Sequence, residues 1–129
     1  MISESETRQF LIDSCHSSLE AEDRILRELQ SQEFVALLVR IAVDEDDFEG
    51  DAPMQAAYYL SKAHTSLVQP HEAALLALLE TADGYAGSVA LALGHMKSEQ
   101  AKPVIEQRLK EGWWPDHFYK EALSYYDKA

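Results

Sequence analysis

An all-α fold of about eight helices in antiparallel pairs is expected for the whole chain, residues 1–129, on three observations. Apolar residues recur at helical spacing, and no segment alternates apolar with polar residues or concentrates β-branched ones. All four prolines and all five glycines stand at plausible helix boundaries or turns, and asparagine is absent. Hydrophobic residues make up 47 %, which over 129 residues suffices for one buried core without disulfides or metals.

Taken in order, Ser3 and Glu6 form a capping-box pair, and Phe10, Leu11 and Cys15 follow at helical spacing, placing a first helix over about 4–16. Ser18 caps a second helix, ending near Gln30, with Ala21, Ile25, Leu26 and Leu29 in one stripe. Ser31 opens a third, whose Phe34, Val35, Leu37, Leu38, Ile41 and Ala42 cover enough circumference to demand deep packing. Residues 44–51 then break the pattern with six acids in eight positions, which predicts a loop. Asp51 is the expected cap of a fourth helix over about 52–64, with Pro53 in its first turn. Pro70 starts a fifth helix, apolar at every position from Ala73 to Leu79 and so expected to be central; Asp83 caps a sixth. Ser98 and Pro103 open a seventh with Val104, Ile105 and Leu109 on one side, Gly112 ends it, and Trp114-Pro115-Asp116 starts the last.

A periodicity links these helices. Leu60-Ser61, Leu93-Gly94 and Leu123-Ser124 are each a leucine followed by a tiny residue near the end of a pair's second helix, 33 and then 30 residues apart. The matching first helices carry Leu37/Ile41, Leu75/Leu79 and Ile105/Leu109. With the two-helix stretch QPHEAALLALLETADGYAGSVALALGHM, this pattern resembles a HEAT repeat, particularly the short bacterial kind also found in phycobilin lyases. The resemblance implies a HEAT-like α-solenoid of about three repeats over 31–127, with residues 1–30 as a capping helix pair. The acidic insert at 44–51 and the missing arginine near the start of each second helix depart from the family pattern.

Composition narrows the function. Eleven Lys+Arg against 23 Asp+Glu leave a net charge of −12, which repels phosphate backbones and anionic lipid, so neither nucleic acid nor a membrane is expected as partner. Residues 1–65 hold 14 acids against 5 bases (net −9) and 66–129 hold 9 against 6 (net −3), so the front half carries most of the charge. One cysteine, Cys15, rules out an internal disulfide, and the opening MISESETRQF has no leader pattern, which together predict a cytoplasmic protein.

Catalytic signatures are missing: there is no glycine-rich phosphate loop, no Gly-x-Ser-x-Gly and no His-Glu-x-x-His. His71-Glu72 occurs once, beside a helix start, where capping accounts for it. The acidic stretch misses calcium-loop spacing because Phe48 stands where the third alternate oxygen ligand belongs. A non-enzyme with no cofactor and no metal is therefore expected.

Surface is what remains. In a HEAT-like pair, residues two or five positions from the core leucine lie roughly opposite it at about 100° per residue. From Leu60 this selects Gln55, Tyr58 and Lys62, from Leu93 it selects Ser88, Leu91 and His95, and from Leu123 it selects Phe118 and Tyr125. Tyr58, Leu91, His95, Phe118 and Tyr125 would form an anchor row for a protein partner, and Asp44, Glu45, Asp46, Asp47 and Glu49 would steer a basic one. Trp113 and Trp114 would plug the end of the core. The expected function is non-catalytic binding of a basic protein such as a nuclease toxin, in the manner of an immunity protein. A scaffold or adaptor subunit is the alternative within that class. A lyase or hydroxylase accessory domain is the alternative outside it, and would require a pocket with converging His, Asp or Glu.

Overall fold

The computed structural model describes residues 3–44, 50–81, 86–112 and 116–127, and all regular structure among them is helical. In order come α1 (Glu4–Cys15), α2 (Leu19–Glu28), α3 (Gln32–Ala42), α4 (Asp51–Leu60), the single turn α5 (Thr65–Val68), α6 (Glu72–Thr81), α7 (Ala86–His95), α8 (Lys102–Glu111) and α9 (Asp116–Ser124). Short 3-10 turns at Gln69–His71 and Tyr125–Asp127 complete it.

The local start and stop signals act as the sequence predicts. Ser3 and Glu6 make the reciprocal capping box of α1, and the Ser18 and Ser31 side chains accept from Ala21 N–H and Phe34 N–H at the starts of α2 and α3. Gly112 closes α8 at φ 79°, a left-handed conformation that costs glycine nothing. The left-handed residues after α1 and α7 are Ser17 (φ 72°) and Lys97 (φ 53°), each two positions past the last helical residue. There the N–H of the next residue returns to the helix, Ser18 to Asp13 O and Ser98 to Leu93 O, at 3.0 Å each.

Several sequence expectations need correction. Gly50, not Asp51, is the N-cap of α4, without a side-chain cap bond; Asp51 lies in the first turn, where an acid complements the helix dipole. The fourth helix stops at Leu60, short of the expected 64, and α5 is an unexpected turn between it and the helix expected from Pro70. Leu26 stands outside the buried stripe of α2, which is Ala21, Ile25 and Leu29.

The largest correction concerns the centre. Every residue of α7 from Ala86 to Gly94 is buried, whereas α6 leaves Ala73 and Ala77 exposed and Leu76 half-buried. Alanines offer too little apolar area to force a helix inside, while the glycines, serine and alanines of α7 let neighbours approach its backbone closely. A Cβ on Gly94 would lie 2.6 Å from the Ala122 carbonyl oxygen of α9.

Helix contacts follow a simple order. α1 packs on α4, α4 on α7 and α7 on α9, and each of these has one further companion among the longer helices: α2, α3, α6 and α8 respectively. Phe34, Ile41, Leu60, Leu79, Leu93, Ile105 and Tyr119 are fully buried within or against this succession. No helix among the described residues is long and apolar enough to cross a membrane.

Candidate functional site

The expected anchor row divides once its side chains are placed. Tyr58 is 39 % exposed on α4, with Tyr59 edge-on at 5.2 Å and the Lys62 ammonium 5.4 Å from its ring centroid. It keeps an accessible aromatic face with a cation beside it. Leu91 does not belong to the row: it is 6 % exposed, and Ser88 is 8 % exposed. The rule of opposite faces presumes a helix with one wet side, and α7 has none before its last residue, His95, because α4, α6 and α9 all pack against it.

His95 and Tyr125 meet where α7 and α9 end, whereas Phe118 lies about two helical turns away, against Gly87 at the start of α7. The His95 and Tyr125 rings stack at 4.1 Å and 23°. Tyr125 donates to Glu121 Oε2 at 2.6 Å, and its pKa is pushed up to about 12 by burial first and by the Glu121 bond second. Phe118 is half-buried against the core, and its ring occupies the space a side chain at Gly87 would need. Phe118 is thus a packing residue apart from the pair, whereas His95 is exposed and stacks on Tyr125. Leu123, the expected core leucine of this repeat, is only half-buried.

Asp44 is half-buried and bound to Arg8 of α1 at 2.7 Å, within a group in which Glu4 also meets Arg8 at 3.5 Å and Arg40 at 3.4 Å. It fastens the end of α3 to α1, a structural use that the sequence did not disclose. Glu45, Asp46, Asp47 and Glu49 lie outside the described residues, as do Asp83, Trp113 and Trp114.

Sequence reasoning missed a polar junction built by Tyr126. Its hydroxyl donates to Ser98 O at 2.7 Å, Ser98 Oγ donates to Glu72 Oε2, and the Lys102 ammonium lies 5.5 Å from the Tyr126 ring centroid. The junction ties the start of α6, the α7–α8 turn and the last turn together. The adjacent pair Tyr125-Tyr126 was the available signal, since neighbouring residues point to different sides.

Burial first, then the Glu72 and Glu106 carboxylates, push the Tyr126 hydroxyl up to about 12. A raised tyrosine pKa means that the native state holds its proton longer than the unfolded chain. The stabilisation is complete below the unfolded value near 10 and is lost as pH rises through about 12. Unfolding in urea at about pH 9 and about pH 11.5 should show a marked drop for the native chain and a smaller one for Tyr126→Phe. Equal drops would show that Tyr126 titrates as it does in the unfolded chain.

Among the described residues, no group of three or more His, Cys, Asp or Glu is arranged to hold a metal. Compared with protein-family models, curated proteins and solved structures, the chain matches none.

Proposed function

We propose that this chain is a non-catalytic, cytoplasmic protein-binding module that captures a basic protein, with a cationic nuclease toxin as the leading class of partner. The observation that carries the reading is charge: −12 overall, with −9 in residues 1–65. Such a field speeds encounter with a cationic surface, while aromatic burial supplies affinity. Exposed Tyr58, flanked by Lys62, and exposed His95, stacked on Tyr125, are the aromatic surfaces that support it. The proposal also takes the helices as a short HEAT-like solenoid of antiparallel pairs. Support comes from the α1–α4–α7–α9 succession with one companion helix each, and from the 33- and 30-residue spacing of Leu60, Leu93 and Leu123.

The direct test expresses the chain with the product of the adjacent reading frame and assays nuclease activity. One-to-one inhibition, with an association rate that falls steeply as salt rises, is the expected result. A partner that is not basic, or association indifferent to salt, would overturn the reading.

A charge-neutralised variant sharpens it. Changing Glu45, Asp46, Asp47 and Glu49 to their amides should remove most of the salt dependence while the complex still forms, more slowly. Asp44 stays unchanged because Arg8 needs it. An unaltered salt slope would mark the segment as a solvated connection only.

A further inference from the structure

We propose that the outer face of α2 is a docking groove for an amphipathic helix of the basic partner, with Leu19 and Leu26 as its contact leucines. The inference rests on the protein-binding reading above and gives that reading a surface. Among the described residues Leu19 is the most exposed large apolar side chain, at 79 %, and Leu26 follows at 43 %. They stand seven residues apart on one helix, two turns and about 10 Å, and so share a face. That face is separate from the buried stripe of Ala21, Ile25 and Leu29, so α2 is apolar on two sides. One side meets α1, and nothing in the fold requires the other.

The surroundings of Leu26 give the face depth. It lines a cleft of about 630 Å³ between α2 and residues 62–67, with Leu29, Ala63 and Leu67 beside it, and the open surface it shares with Leu19, Glu20, Glu22 and Asp23 leads up to that cleft. Leu26 thus stands between the open surface at Leu19 and this cleft, whose other wall carries Lys62 and His64. A face with leucines one heptad apart fits a helical ligand presenting apolar residues at i, i+3 or i+4, and i+7.

Charge selects the occupant. Glu20 and Glu22 have no cationic partner among the described residues, and Asp23 meets only Arg27, at 3.8 Å in an open position. An arriving helix therefore finds unneutralised acids along the Leu19 end, which favours lysines or arginines beside its apolar stripe. A second copy of this chain would bring −12 against −12 and set the same acids face to face. Anionic lipid would be repelled in the same way.

The test uses two synthetic helical peptides of about 18 residues with the same leucine stripe, one flanked by lysines and one by glutamates. Each is titrated by fluorescence anisotropy against the full chain, Leu19→Ser/Leu26→Ser and Tyr58→Ala, with amide NMR shifts mapped on the full chain. The lysine peptide should bind and shift residues of α2 and 62–67. The double leucine variant should weaken it at least about tenfold at unchanged melting temperature, and the glutamate peptide should bind at least about tenfold more weakly. Failure of both peptides to bind, equal binding of the two, or full binding by the leucine variant would each overturn the groove. Lysine-peptide binding that survives in the leucine variant but is lost in Tyr58→Ala would overturn the groove and leave the basic-partner reading standing. A concentration-dependent dimer that the leucine variant abolishes would identify a second copy as occupant and overturn the proposal.

Discussion

Leu93→Ala should lower the free energy of unfolding by about 2 to 5 kcal/mol, the range for deleting a buried leucine and leaving a partly unfilled cavity. Leu93 has no exposed surface and sits on the one helix whose residues from Ala86 to Gly94 are all buried. Three longer helices pack against α7, and at the adjoining Gly94 the α9 backbone is already too close to move in further. Leu78→Ala should fall at the lower end of that range. Leu78 is 5 % exposed on α6, between exposed Ala77 and Glu80, and the site can relax toward solvent. Urea unfolding of both variants checks the order. A loss under about 1 kcal/mol at Leu93 would mean that α7 is not the helix the others pack around.

The features legible in the sequence were local ones. Ser3 with Glu6, Ser18, Ser31 and Gly112 act through hydrogen bonds or backbone angles within a few residues, and those are fixed by the adjoining sequence. Burial is a property of the assembled helices. The run from Ala73 to Leu79 looks more apolar than α7, yet only contacts with α4, α6 and α9 together decide which helix is enclosed. The same cause separates the surface residues. Tyr58 is exposed because α4 has an open side, whereas Leu91 is covered because α7 is buried from Ala86 to Gly94. Spacing alone puts Leu26 in the apolar stripe, yet the 100° step between Ile25 and Leu26 carries it out to solvent. Asp44 looked like one member of an acidic run until Arg8, 36 residues earlier, was brought to it.

Gly94→Ala isolates the contact between α7 and α9. In an exposed helix this change would stabilise by about 1 kcal/mol, since glycine is the poorer helix former and the more flexible residue when unfolded. Here the new methyl would lie 2.6 Å from Ala122 O, 3.0 Å from Ala122 Cα and 3.1 Å from its carbonyl carbon. These are backbone atoms of a packed helix, so no side-chain rotation relieves them, and α9 as a whole must move away. Overpacking of that kind costs about 1 to 3 kcal/mol or more and outweighs the propensity gain, so a net loss of about 2 kcal/mol is expected. Gly87→Ala makes the contrast, because its methyl would meet the Phe118 side chain, 2.5 Å from Cδ2 and 3.0 Å from Cβ. The closest atom is in a half-buried side chain whose rotation can relieve the Cδ2 contact, though not the one to Cβ, so the loss should be smaller, and Phe118→Ala in the same chain should recover part of it. Gly94→Ala as stable as the native chain in urea would mean that α7 and α9 do not approach at Gly94, and the packing of the last two helices would have to be redrawn.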